Sequence, residues 1–232
     1  MLREAGRDLW LADGPPVRFL RIDYPTRMAV VRLANGGLWL WSPIEWNESL
    51  GAAVDALGPV EHLVAPNKIH HLLLPGWVSR HPAAKLHAAP GLARKRPDLH
   101  FDTELGDAPD PAWAGQIDQV VFRGSLALEE VAFFHRASRT ALFCDLIQRF
   151  DAATLGGWRL WLMRADGLVG PDGSTPREWR ASFLRRGPAR RALATALDWN
   201  AERLVIAHGA LPQENGRAAI ARGLRWLAPA ER

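Results

Sequence analysis

The sequence predicts an α/β protein in which two mixed β-sheets pack together and carry helices on their outer faces. Three observations lead there. A run of short apolar strands is followed by strand–helix units, and this order appears twice along the chain. No low-complexity or linker-like stretch separates the two runs, so residues 1–232 read as a single domain built from two similar halves. Three apolar strands also end on residues that can ligate metals, and strand ends in α/β proteins gather at one sheet edge, where ligands bind.

Taken in order, Phe19-Leu20-Arg21-Ile22-Asp23 alternates, residues 28–33 are apolar, and Asn35-Gly36-Gly37 makes a hairpin turn into Leu38-Trp39-Leu40-Trp41. These form a β-meander. Asn47 is the N-cap of a helix running through Leu57 and stopped by Gly58-Pro59. A strand over residues 60–65 leads to His70 and His71, and a helix starts near His70 and runs toward Trp77. A short strand at 86–88, a helix opened by Pro90 and a polar Asp/Pro/Gly loop from Asp102 to Gly115 end the first half. Strands at 117–122, 131–135 and 140–145, then helical residues around 155–164, begin the second. Thr175-Pro176 is an N-cap and N1 pair for a long helix broken at Gly187-Pro188, and a strand to Ala207 and a helix from Glu214 to Leu227 close the chain.

A hydrophobic share of 48% with 23% charged residues is that of a globular chain able to bury a sizeable core. No segment approaches the ~18 apolar residues of a membrane span. The N-terminal residues lack an apolar signal region and read as mature protein, so a cytoplasmic location is expected. The net charge of +4 comes from arginine, since Lys68, Lys85 and Lys95 are the only lysines. The densest basic stretch, Arg185-Arg186-Gly187-Pro188-Ala189-Arg190-Arg191, reads as a solvated helix face. Without interleaved aromatics it makes nucleic acid only a secondary candidate partner. Eleven scattered tryptophans read as core and rim fillers, the alternative being that Trp39, Trp41, Trp46 and Trp77 line a substrate cleft. Cys144 is the sole cysteine, so no internal disulfide is possible and no thiolate zinc site can form. Strand alternation would turn it away from Asp145, as a buried and inert thiol.

Chemistry concentrates at the strand ends. One strand leads through Ala65-Pro66-Asn67-Lys68-Ile69 to His70-His71, another runs into Asp145, and a third into His208-Gly209. Taken singly, His70 caps a helix, Asp145 is an N-cap and His208 is a satisfied core histidine. Jointly they make a ligand set suited to zinc or iron. His135 falls four residues short of the site, because strands 131–134 and 141–145 must pair across the turn 136–139. It therefore reads as a turn-stabilising residue. That pairing sets Glu130 or Val131 opposite Asp145 and makes Glu130 a candidate supporting partner or general base.

With these residues in hand, the chain resembles the metallo-β-lactamase superfamily, and within it an uncharacterised bacterial family. The resemblance rests on Ala65–His71, on Phe134-His135-Arg136-Ala137-Ser138-Arg139-Thr140 and on Ala207-His208-Gly209. It implies an αββα sandwich with a metal site at its edge. The superfamily's first metal motif, His-x-His-x-Asp-His, would set Pro66 and Lys68 at its two leading histidines, His70 at its aspartate and His71 at its last histidine. Its bridging aspartate matches Asp145 and its final histidine His208. The resemblance thus implies one zinc or iron ion held by His70, His71, Asp145 and His208. The leading reading is a metal-dependent hydrolase acting through a metal-activated water on an ester, amide or phosphodiester. Glu130 would move protons, and Lys68 would stabilise developing negative charge on an anionic substrate. Loss of histidines from the motif supports a second reading, a catalytically silent binding module. An iron-dependent oxidoreductase is the third.

Overall fold

Sheet order follows chain order through the first hundred residues. In the computed structural model, which describes residues 1–19, 22–212 and 215–228, β1 (Leu2–Gly6), β2 (Leu9–Phe19), β3 (Ile22–Arg32) and β4 (Leu38–Trp41) form an antiparallel meander. Helix α1 (Glu48–Asp55) then returns the chain, so β5 (Val60–Ala65) lies parallel to β4. Its cap is the expected one: the Asn47 side chain accepts the Leu50 N–H at 2.9 Å. After α2 (Leu74–Val78), β6 (Lys85–Ala88), α3 (Leu92–Lys95) and β7 (Thr103–Glu104), the first sheet has seven strands in sequential order.

The second sheet begins with β8 (Ile117–Phe122), β9 (Glu130–His135) and β10 (Thr140–Phe143), all antiparallel. Helices α4 (Gly157–Ala165), α5 (Arg177–Ser182) and α6 (Arg186–Asp198) follow. Strand β11 (Arg203–Ile206) then joins β10 in parallel, and α7 (Gly216–Gly223) packs behind it. His135 pairs with Thr140 and Phe133 with Leu142, a register that continues to Glu130 opposite Asp145.

Three buried clusters define the layers. Between the sheets, Leu11, Val31, Trp39 and Trp41 meet Val131, Phe133 and Leu142. Outside the first sheet, Val30, Leu40 and Leu63 pack with Leu50, Val54 and Trp77 of the helices. Outside the second, Phe122, Phe143 and Ile206 pack with Ala192, Ala196 and Ile220. The result is an αββα sandwich. Trp39, Trp41, Trp77 and Trp113 have no exposed surface. At about 150–250 Å² buried per ring, they are filling and not a cleft lining.

The structure departs from the expected elements where local signals compete. Residues 19–23 are the tip of the β2–β3 hairpin, with Phe19 opposite Ile22 and Leu20 and Arg21 outside the described residues. Residues 70–73 form turns, and helix begins only at Leu74. The long helix from Thr175 is two, divided at 183–185. Gly187-Pro188 opens α6 instead of breaking it, because a proline in the first turn has no helical N–H bond to lose. The loop 102–115 contains β7 and sends Leu105 and Trp113 into the inter-sheet core. Of the closing helix, Glu214 lies outside the described residues, and Asn215 caps α7.

Candidate metal centre

Strand β5 ends at Ala65, and the turn after it is built on the fully buried Asn67. Its side-chain oxygen accepts the N–H groups of Ile69 (2.8 Å) and His70 (3.1 Å), folding the chain so that His70 points toward the second sheet. Its amide nitrogen donates to Asp145 Oδ2 (2.7 Å) and Glu130 Oε2 (3.2 Å). One side chain thus joins the two halves of the site.

Asp145 leaves β10 on a bend held by Glu130. The Glu130 carboxylate accepts the backbone N–H groups of Cys144, Asp145 and Leu146 at 2.7–3.2 Å. Burial and the neighbouring Asp145 push Glu130 up to about 8, against four N–H donors that favour its anion. Glu130 is fully buried and saturated with donors. That is the geometry of a supporting carboxylate, and the expected general-base role has no route to a substrate.

His208 follows β11 and is fixed by its flanks. Its Nδ1 donates to the Pro25 carbonyl at 2.7 Å, which leaves Nε2 as the free ring nitrogen when the ring is neutral. The buried Arg27 guanidinium donates to the carbonyls of Ile206 (2.7 Å) and Gly209 (3.0 Å) on either side. Gly209 has φ +95°, and a Cβ there would lie 1.9 Å from the Arg149 carbonyl oxygen, so only glycine fits behind the histidine.

Ligand atoms of three residues converge. His70 Nε2 lies 3.0 Å from His208 Nε2 and 3.3 Å from Asp145 Oδ2, and His208 Nε2 lies 3.4 Å from Asp145 Oδ1. A tetrahedral ion with bonds of about 2.0–2.1 Å separates its ligand atoms by about 3.3 Å. That is close to the spacing between the two imidazoles and between each imidazole and its own Asp145 oxygen, so this triangle of residues could hold such an ion. Cys144 Sγ lies within 4.8 Å of the His70 and Asp145 ligand atoms. It does not turn to the opposite face as expected, because β10 ends at Phe143 and the period-two alternation ends with it.

Electrostatics bind the three groups together. Burial alone would raise Asp145, yet the two imidazoles outweigh it and hold the carboxyl well below its usual range. Burial pushes His70 down, whereas for His208 burial is outweighed by its bonds to Asp145 and Pro25, and its pKa rises. Further support comes from residues that the strand-end pattern did not single out. Ser42, in the left-handed region at φ +52°, sets its Oγ 2.8 Å from His70 Nδ1. Gln148 donates to Asp145 Oδ1 at 2.9 Å.

The other sequence candidates lie elsewhere. His71 turns toward α3, its Nδ1 accepting from Arg96 at 2.7 Å, and burial together with Lys95 and Arg96 lowers it to about 4. Its separation from His70, Asp145 and His208 follows from the turn at Asn67, which points successive residues in different directions. The Lys68 side chain runs alongside Gly91 and does not line the cleft above the triangle. His135 sits at the hairpin turn bonded to Ser138 Oγ (2.8 Å), as its spacing required.

The triangle forms part of the floor of a cleft enclosing about 780 Å³, its open mouth included. Its walls are largely apolar: Tyr24, Ile44, Ile69, Leu73 and Trp179 all contribute, and none of the tryptophans considered from sequence does.

Comparison with known proteins fits this geometry. The profile of a domain of unknown function, DUF4336, matches residues 16–155. The chain belongs to that family. The matched region contains His70, Asn67, Glu130 and Asp145, while His208 and α5 lie beyond it. Among solved structures, the chain is similar to a metallo-β-lactamase from Pontibacter korlensis (14% identity, TM-score 0.64, covering 98% of each chain). It is also similar to one from Hirschia baltica (12%, 0.64, covering 100% of this chain and 99% of that one). The metallo-β-lactamase FIM-1 from Pseudomonas aeruginosa in its mono-zinc form gives 11% identity and a TM-score of 0.64, covering 98% and 94%. No curated protein sequence matches significantly. These likenesses establish the metallo-β-lactamase fold. Among the described residues no helix is long and apolar enough to cross a membrane.

Proposed function

We propose that this protein is a cytoplasmic metal-dependent hydrolase using one zinc or iron ion held by His70, Asp145 and His208. The observation that carries the reading is the convergence of His70, Asp145 and His208, with ligand-atom contacts of 3.0–3.4 Å, in the floor of an apolar cleft. An ion bound there would lower the pKa of a coordinated water toward neutrality and polarise the bond under attack. The protein's own groups prepare the site. Ser42 and the Pro25 carbonyl orient the two imidazoles, while Asn67 and Gln148 hold the carboxylate. The apolar walls keep bulk water from competing. His71 and Lys68 have no part in this proposal, since one ring faces Arg96 and the other side chain lies beside Gly91.

A silent binding module is supported by Pro66 and Lys68 standing where the superfamily resemblance calls for histidines. Elemental analysis of freshly purified protein, paired with hydrolysis of p-nitrophenyl esters, anilides and a bis-aryl phosphodiester with and without chelator, separates the readings. About one ion per chain with chelator-sensitive hydrolysis supports the hydrolase. No ion after metal-supplemented expression, and no hydrolysis, leaves the binding module. Iron well in excess of zinc without hydrolysis favours an oxidoreductase.

A further inference from the structure

The cleft carries a charge pattern that the chain as a whole does not. The sequence holds 29 lysines and arginines against 25 acidic residues. Yet among the described residues no lysine or arginine lines the cleft, while two carboxylates, Asp145 and Glu178, do. Asp145 is engaged by Asn67, Gln148 and the two imidazoles. Glu178 is different. It is exposed in the first turn of α5 and makes no salt bridge among the described residues, whereas its neighbour Arg177 reaches Asp166 at 3.4 Å.

Two aromatic rings share the cleft with that carboxylate. Trp179 is the next residue along α5, and Tyr24 enters from β3. The Tyr24 ring packs in T-shaped contacts with Phe150 and His208, each at 5.6 Å between centroids. Much of the remaining wall is aliphatic, from Ile44, Ile69, Leu72 and Leu73. Aromatic rings and a carboxylate without a salt bridge attract a cation. Arg180 of the same helix, which burial pushes down, is a cation whose pKa Glu178 raises. Away from the ion proposed at the floor, an anion would find no compensating charge on these walls and would lose its hydration on entering.

We propose that the cleft binds a cationic amphiphile, with its ammonium group at Glu178, Trp179 and Tyr24 and its apolar body along the aliphatic wall. Joined to the hydrolase reading, on which this extension rests, the substrate class is an apolar ester or amide bearing an ammonium group. Hydrolysis would add water across its acyl C–O or C–N bond, the hydroxyl going to carbon and the proton to the leaving oxygen or nitrogen. The anionic substrate that Lys68 suggested from sequence is not the one this cleft suits.

Calorimetric titration of the full chain with hexyltrimethylammonium, 1-hexanol and hexanesulfonate tests the proposal by binding alone. The cation should bind at least about tenfold more tightly than the other two. Glu178→Gln should erase about three- to tenfold of that preference with melting temperature unchanged, and Trp179→Leu should weaken it in the same direction. Equal or tighter binding of the sulfonate, a preference untouched by Glu178→Gln, or no binding of any of the three would overturn it. Because no turnover is read, cation-selective binding without hydrolysis would remove the hydrolase reading alone. Chelator-sensitive hydrolysis without cation selectivity would remove the subsite alone.

Discussion

Replacing Asn67 by Ala tests the device that joins the two halves of the site. Asn67 is fully buried and makes four side-chain hydrogen bonds: to the carboxylates of Asp145 (2.7 Å) and Glu130 (3.2 Å), and to the N–H groups of Ile69 and His70. A bond to a charged group contributes about 1.5–3 kcal/mol, and a neutral one about 0.5–1.5 kcal/mol. Only the 2.7 Å bond to Asp145 is short enough to count near the top of its range. Water entering the vacated space would restore part of the rest. The net loss should be about 3 kcal/mol, which for a chain of this size lowers the melting temperature by about 6–12 °C. Urea titration at pH 7.5 should show a lower midpoint with an unchanged slope. Freed of its partner, Asp145 should also hold zinc about 10–100-fold more weakly. A stability loss below about 1 kcal/mol with unaltered zinc affinity would refute this account of Asn67.

Three further outcomes follow from the same geometry. Gly209→Ala should destabilise the fold by about 3 kcal/mol or more, because its Cβ would collide with the Arg149 carbonyl at positive φ; a loss under 1 kcal/mol in chemical unfolding would contradict the packing behind His208. Stability should fall as pH drops. Burial, and then His62, lower His87 to about 4, so above about 6.5 both states are neutral, and between 6.5 and 4 only the unfolded chain takes up the proton. That costs up to about 3 kcal/mol, and His87→Gln should flatten the pH–stability curve in that window, whereas an unchanged curve would exclude the histidine. His135→Ala should lower stability by loss of its bond to Ser138 while leaving zinc content unchanged, and a loss of zinc would place it in the wrong structural context.

What the sequence revealed of this site tracks how regular the backbone is. Apolar strands that stop at a defined residue make Asp145 and His208 stand out, and the short spacing between His135 and Asp145 narrows the residue opposite Asp145 to Glu130 or Val131, of which the observed register selects Glu130. Where the strand stops, period-two reasoning stops too. Cys144 was misdirected for this reason, and so was His71, whose direction is decided by the turn on Asn67 and not by any repeating pattern. Asn67, Ser42 and Gln148 carry no signal of their own, since an asparagine after a strand reads as an ordinary turn and uncharged side chains draw no metal-site reading. Trp113 was hidden inside an Asp/Pro/Gly loop whose composition gives no hint that its ring fills the sandwich.

Zinc affinity, measured by competition with a chromophoric chelator on wild type, His208→Ala and His71→Ala, tests the central claim most directly. The geometry predicts one zinc per wild-type chain. His208→Ala should weaken it by more than the roughly 100-fold that loss of a supporting partner can cost, and His71→Ala should leave it unchanged. Absence of zinc binding by the wild type, or an equal loss in both variants, would contradict a centre built on His70, Asp145 and His208.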